Sequence, residues 1–133
     1  MTTKKQRILI VGLNPDLLDF SADSYRFVAN ISAETVRSGL NAAQAELNHL
    51  GYQVEQCLID LGETAEAVLR HCLQQYEYDC VLVGAGVRVP DENFILFEKV
   101  MNIIHQQAKH AAICFNRQPD DTAEAVRRWL STA

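Results

Sequence analysis

The stretch RILIVGL, Arg7–Leu13, is a continuous apolar run rich in isoleucine, leucine and valine, and Asn14-Pro15-Asp16 follows it with the chemistry of a turn. The run therefore predicts a β-strand. A second run of this kind, YDCVLV at residues 78–83, is apolar enough at its centre to be covered on both faces, as strands of parallel sheets are. These two strands are expected to lie side by side in the middle of a sheet.

Around these two strands, helical and extended patterns alternate along the chain. The predicted helices cover residues 32–50, 64–76, 91–109 and 122–130, and two further strands cover residues 52–61 and 111–115. Ser32 is expected to cap the first helix, and Gly51 to end it in a left-handed conformation. Thr64 and Thr122 are expected to cap two other helices, and Tyr76 is expected to face inward. The predicted order of elements is βαβαβαβα.

This order predicts an α/β protein, because repeated strand-to-helix crossovers produce a mainly parallel sheet with helices on both faces. The chain of 133 residues is long enough for a single domain, residues 1–133, with one hydrophobic core. With the two most apolar strands central, the four-stranded sheet takes the order 2-1-3-4 in a three-layer α/β/α arrangement, which is flavodoxin-like (Rossmann-like). Ligands of such sheets bind beyond the carboxyl ends of the strands where the winding reverses, here between strands one and three.

The loops that meet at this predicted crevice supply the candidate ligand-binding residues. They are Asn14, Gly84, Gly86, Arg88 and Asn116. Arg88 is a permanently charged fork of donors that suits a carboxylate or a phosphate, which predicts a small anionic ligand. The alternative is that Arg88 caps a strand end or pairs with a surface acid such as Asp91 or Glu92.

The glycines of LVGAGVRVP, residues 82–90, resemble the start of a nucleotide-binding turn. A dinucleotide fingerprint, however, needs Gly-x-Gly-x-x-Gly after the first strand, whereas Gly84 and Gly86 follow the third strand and Val89 stands in the third glycine position. The chain also contains no P-loop string. Gly84 and Gly86 are expected instead to let strand three end close to a neighbouring loop or a ligand. Pro90 is expected to start the next helix.

Other cofactor and catalytic arrangements are not supported either. Strand three ends in Gly84, where a phosphoacceptor domain would place an aspartate, and Ser21 and Ser24 only weakly imitate the hydroxyl-rich loop of flavodoxins. The four histidines have no metal-ligand spacing, and no Gly-x-Ser-x-Gly elbow presents a nucleophilic serine. We therefore predict no cofactor and no metal, and we assign no catalytic residue.

Composition narrows the class of partner and the compartment. The net charge of −5, with scattered basic residues, argues against nucleic-acid binding. No segment reaches the roughly 18 apolar residues of a membrane helix, and the apolar run at residues 8–11 is too short for a signal peptide. The four cysteines lie in apolar segments without a C-x-x-C pair and are expected to be buried, reduced thiols. These features predict a cytoplasmic protein without membrane partners.

Two segments carry more apolar residues than one core requires. The connection at residues 13–31 is long for a strand-to-helix loop and bears Tyr25 and Phe27 among other apolar residues. It is expected either to fold over the crevice or to pack on a partner subunit. In the third helix Phe94 is expected to widen the core stripe, while Ile95 projects from another face. A homodimer contact is one interpretation of this surplus, and burial inside the monomer is the other.

Several strings together resemble a known family. They are LIDLGETAEAV at residues 58–68, VGAGVR at residues 83–88, LFEKV at residues 96–100, CFN at residues 114–116 and DTAE at residues 121–124. Their combination is similar to a family of short, single-domain bacterial proteins of uncharacterised function, and it covers most of the chain. The resemblance implies a bacterial cytoplasmic protein of flavodoxin-like fold, and it brings no activity, cofactor or catalytic residue.

The residues favour a small non-catalytic binding or regulatory module, expected to be a homodimer, with an anion-binding crevice between strands one and three. The alternative is a small enzyme that acts on a phosphorylated or carboxylated metabolite. In such an enzyme Arg88 and Asn14 would bind the substrate, and Asp60 or Asp16 would act as the base.

Overall fold

The computed structural model describes residues 5–21 and 31–130 of the 133-residue chain. Its strands are β1 (Arg7–Leu13), β2 (Gln53–Ile59), β3 (Cys80–Val83) and β4 (Ala112–Phe115). They form one parallel sheet in the order β2-β1-β3-β4. The predicted fold class and strand order are therefore confirmed.

Helices connect the strands and cover both faces of the sheet. In the described residues they are α1 (Ala33–His49), α2 (Ala65–Gln75), α3 (Ala85–Arg88), α4 (Phe94–Gln107) and α5 (Thr122–Arg127). The predicted third helix at residues 91–109 is too long at both ends, because Asp91–Asn93 form a 3₁₀ turn and α4 ends at Gln107. The one-turn helix α3 before it was not predicted. Pro90 precedes that 3₁₀ turn and does not begin the helix itself.

β1 lies between the two layers of helices. Leu9 and Val11 pack into the core beneath α2 and α4, whereas Ile8 and Ile10 pack into the core beneath α1 and α5. All four side chains are almost completely buried. This cover on both faces is the physical reason why RILIVGL is an uninterrupted apolar run and not an alternating one.

The ends of α1 form as the sequence predicts, but two other predicted caps do not. The Ser32 hydroxyl accepts a hydrogen bond from a first-turn amide at 3.2 Å, and Gly51 follows the helix with a φ of 101°. Thr64 occupies the N-cap position of α2, but its side chain makes no capping hydrogen bond, and Thr122 lies within α5 and not at its N-cap position. The Thr64 hydroxyl instead donates to Asp60, and Thr122 is a buried residue of the first turn of α5.

Two aromatic side chains that were expected to face the core are exposed. Tyr76 is 48% exposed because it follows the end of α2, where the guanidinium carbon of Arg7 lies 3.8 Å from its ring centroid. Phe94 is 61% exposed. It begins α4 two residues before Leu96, which faces the core, and two residues turn a helix by about 200°. Phe94 therefore points away from the core stripe.

All four cysteines are free thiols. Cys57, Cys80 and Cys114 are buried, as predicted, while Cys72 is only partly buried. The Sγ atoms of Cys80 and Cys114 lie 3.2 Å apart across the β3–β4 pair. Contact with the Cys114 thiol, together with burial, raises the pKa of Cys80, and burial raises the pKa of Cys57. These thiols therefore behave as small apolar core residues.

The connection between β1 and α1 is described only in part. Its first part makes the 3₁₀ turn Pro15–Leu17, where Leu17 is exposed. Tyr25 and Phe27 lie outside the described residues. The expectation that this connection covers the crevice or a partner subunit therefore stays a prediction.

Candidate functional site

The junction of β1 and β3 lies at the carboxyl edge of the sheet, where the sequence predicts a binding crevice. The Gly84 amide donates to the Val11 carbonyl oxygen at 2.9 Å. A Cβ atom at Gly84 would lie 3.3 Å from that oxygen, so the missing side chain permits a close approach. Gly86 is exposed, and a Cβ atom there would meet open space. The expected close approach to a neighbouring segment is therefore found at Gly84 and not at Gly86, and an approach of Gly86 to a ligand stays a prediction.

Asn116 follows β4 and joins three segments of the chain. Its Oδ1 atom accepts a hydrogen bond from the Ala85 amide at 2.9 Å, and its Nδ2 atom donates to Oγ1 of Thr122 at 3.0 Å. The residue is only 7% exposed. Both ends of the side-chain amide are thus used inside the protein, and the first amide of α3 is already occupied.

Arg88 ends α3 and spans the gap to β4. Its Nη2 atom donates to the backbone oxygen of Asn116 at 2.8 Å, and its guanidinium carbon lies 5.5 Å from the centroid of the Phe115 ring. Its Nε atom is buried and has no hydrogen-bond partner in the described structure. The structure thus gives Arg88 the strand-end contact that the sequence offers as an alternative, while the residue keeps part of its surface in solvent.

Asn14 lies on the other side of β1 from these contacts. Its amide donates to the Ile59 carbonyl oxygen at 2.8 Å, and its Oδ1 atom accepts from the Asp16 amide at 3.0 Å. β1 pairs with β2 over its whole length but with β3 only as far as Val11. The structure therefore gathers the other candidate residues around α3 and places Asn14 toward β2.

Asn93 is a buried polar residue that no sequence pattern identifies. Its Nδ2 atom donates to the Gly86 carbonyl oxygen at 3.0 Å, and the residue is 6% exposed. This bond ties α3 to the start of α4. The only signal in the sequence is a polar residue next to an apolar helix, which is common at helix starts and does not indicate burial.

The two carboxylates considered as bases make local structural contacts. Asp60 accepts hydrogen bonds from the Gly62 amide at 3.0 Å and from the Thr64 hydroxyl at 2.7 Å. These bonds, that from the Thr64 hydroxyl above all, lower the pKa of Asp60. Asp16 forms an exposed ion pair with Arg37 at 2.8 Å. A carboxylate with a lowered pKa is a weak base, so Asp60 is poorly suited to that role.

We predict that Asp60→Asn lowers the melting temperature at neutral pH and that this difference from the wild type disappears in acid. The pKa of Asp60 is lowered in the folded protein. Its contribution to stability is therefore complete above the unfolded pKa, about 3.9, and is lost as the pH falls through the lower folded value. Melting curves recorded from neutral to strongly acidic pH check this. Asp120→Asn, at an exposed aspartate, is the control, and a difference for Asp60→Asn that is constant with pH contradicts the prediction.

None of the candidate site residues lines either of two clefts on the surface. One, of about 430 Å³, lies at the opposite edge and has Tyr76, Tyr78 and Lys109 among its lining residues. The other, of about 550 Å³, lies between α1 and α5 and has Glu46, Asp120 and Arg127 among its lining residues. The candidate site is therefore defined by its polar groups and not by either cleft.

Known proteins add no functional information at this point. Comparison of the sequence with protein-family models gave no match, and neither did comparison with curated proteins. In the described ranges, no group of three or more histidine, cysteine, aspartate and glutamate side chains could hold a metal ion. No helix in that part of the chain is long and apolar enough to cross a membrane.

Proposed function

We propose that the protein is a small non-catalytic binding or regulatory module that holds a small anion, a carboxylate or a phosphate, beside Arg88. The observation that carries the proposal is the position of the Arg88 guanidinium. One of its nitrogens is anchored to the Asn116 backbone oxygen at 2.8 Å, and the residue remains partly exposed at the carboxyl edge of the sheet. An anchored guanidinium loses less side-chain entropy when it binds a ligand, and its positive charge attracts both kinds of anion.

The contacts of the nearby polar residues favour binding over catalysis. Asn116 uses both ends of its amide within the protein, and Asp16 and Asp60 are engaged in local bonds. The site therefore offers a fixed positive charge without a poised base beside it. The enzyme alternative has no such observation in its favour.

We also propose that the protein is a bacterial, cytoplasmic homodimer. The resemblance described above supports a place among short bacterial proteins of flavodoxin-like fold. Free cysteines, three of them buried, suit a reducing compartment such as the cytoplasm. Self-association as a homodimer is the third part of the proposal, and the exposed apolar residues at the start of α4 support it.

A thermal-shift screen tests the anion site. The ligands are inorganic phosphate, sugar phosphates, dicarboxylates, nucleotides and flavins, and each is measured on the wild type and on Arg88→Ala. At a ligand concentration a hundred times the dissociation constant, binding stabilises the folded state by about 2.7 kcal/mol. We expect at least one phosphate or carboxylate to stabilise the wild type and to lose this effect in Arg88→Ala.

Arg128→Ala is the matched control for this screen. Its Nη2 atom donates to the Phe115 carbonyl oxygen at 2.9 Å, so it too is an arginine that contacts the end of β4. If loss of a strand-end contact explained the result, both variants would lose the ligand response. Retention in Arg128→Ala with loss in Arg88→Ala supports the site, and no response of the wild type to any ligand contradicts it.

A further inference from the structure

The start of α4 presents an exposed apolar cluster. Val89 is 61% exposed, Phe94 61% and Ile95 59%. Ile95 is flanked at a spacing of four residues by Asp91 and Lys99, both of which are exposed. Lys99 lies one helical turn after Ile95 on α4, and Asp91 lies four residues before Ile95 in the 3₁₀ turn that leads into the helix. We call these three residues the 91–95–99 ridge.

We propose that two copies of the chain associate through the 91–95–99 ridge about a two-fold axis that passes beside Ile95. Rows of residues four apart form ridges on a helix, and two such ridges pack side by side when the helices cross at about 50°. In an antiparallel, two-fold arrangement a residue before Ile95 faces the residue equally far after it on the other copy. Asp91 of each copy then faces Lys99 of the other.

The charges of the ridge select a second copy as its partner. Asp91 and Lys99 are eight residues apart, about 12 Å along a helix, so they are too distant to pair within one chain. Within the described residues, neither belongs to an ion pair shorter than 4.0 Å. The two-fold arrangement pairs both charges twice and covers Ile95 with its own equivalent. Two copies that each carry a net charge of −5 repel each other. A register that forms reciprocal ion pairs offsets this repulsion and is therefore favoured over other registers.

This inference rests on the homodimer part of the proposed function and does not depend on the anion site. The ridge is short compared with stable interfaces, which bury about 800 Å² per partner. The association is therefore expected to be weak and to depend on protein concentration. Because salt screens exposed ion pairs, the association should also weaken with added salt. Sedimentation velocity over a series of protein concentrations should show a species of twice the 14.9 kDa chain mass.

Charge reversal tests the register. Asp91→Lys and Lys99→Asp each replace two attractive contacts by two repulsive ones, and each is expected to weaken dimerisation by about tenfold or more. The double variant Asp91→Lys/Lys99→Asp restores both pairs and should dimerise like the wild type. A mixture of the two single variants should form a mixed dimer, because each carries the charges that complement the other. Ile95→Asp should be monomeric.

Glu34→Lys is the matched control. Like Asp91, Glu34 is an exposed acid, but it lies in the first turn of α1 on the opposite face of the sheet. The substitution changes the net charge by the same amount and should leave dimerisation unchanged. Melting curves of each variant establish that it is folded before its mass is interpreted.

The outcomes separate three cases. A wild type that stays monomeric at every concentration contradicts both the homodimer and this register. A dimeric wild type whose association is insensitive to charge reversal, or single variants that do not combine when mixed, contradicts the register alone. The thermal-shift response of monomeric Ile95→Asp to the phosphate and carboxylate probes tests the anion site separately from dimerisation.

Discussion

Replacing Asn116 by alanine is expected to lower the free energy of unfolding by about 2–4 kcal/mol. Asn116 is nearly fully buried and bridges the Ala85 amide and the Thr122 hydroxyl. Alanine would remove both contacts and leave the partly buried Ala85 amide without its acceptor. Each unsatisfied buried group costs about 1–3 kcal/mol. Urea denaturation, with the m-value checked for constancy, measures the loss.

Asn102→Ala is the matched control for this substitution. Asn102 also donates through its side-chain amide, to the Glu98 carbonyl oxygen at 2.9 Å, but it is exposed on α4. Water replaces that bond, and alanine favours the helix, so the expected change is within about 0.5 kcal/mol. Equal effects of the two substitutions would show that the Asn116 bridge does not hold α3 and α5 to the end of β4.

The second large effect is expected in cysteine reactivity. Cys57, Cys80 and Cys114 should react with an alkylating reagent at least about a thousandfold more slowly in the native protein than in urea. Their thiols are buried, and the pKa values of Cys57 and Cys80 are raised, so reaction requires opening of the core. Core opening costs about 5 kcal/mol or more in a typical domain, which corresponds to this factor.

Cys72 serves as the internal comparison. It is partly buried at the surface of α2, so local exposure can admit the reagent without global unfolding. Pulsed alkylation followed by mass spectrometry resolves each cysteine in one sample. Alkylation of Cys80 at the rate of Cys72 would mean that the β3–β4 pair opens far more easily than its burial indicates.

The strand order was predictable because strands that are buried on both faces are apolar along their whole length. β1 and β3 are covered on both faces, and only apolar side chains tolerate that position, so RILIVGL and CVLV indicate the two central strands. Parallel crossovers have few alternatives once the central strands are known. The caps of α1 were predictable for a similar reason, since Ser32 and Gly51 act through contacts a few residues away.

The interior of the candidate site was not predictable in the same way. The bridge from Asn116 to Ala85 spans 31 residues, and that from Arg88 to the Asn116 backbone spans 28. No local pattern records such partners, because they depend on where two strand ends meet. The one-turn helix α3 was missed because four residues are too few to show a helical period.

By itself, therefore, the sequence determined the class of fold, the central strands and the edge of the sheet where polar loops gather. It also placed Arg88 at that edge. Only the tertiary structure decided that Asn116 occupies the first amide of α3, that Asn14 turns toward β2, and that Phe94 faces solvent. The physical reason is range: periodicity and capping act within a few residues, whereas hydrogen-bond partners and exposure are decided by segments that meet only after folding.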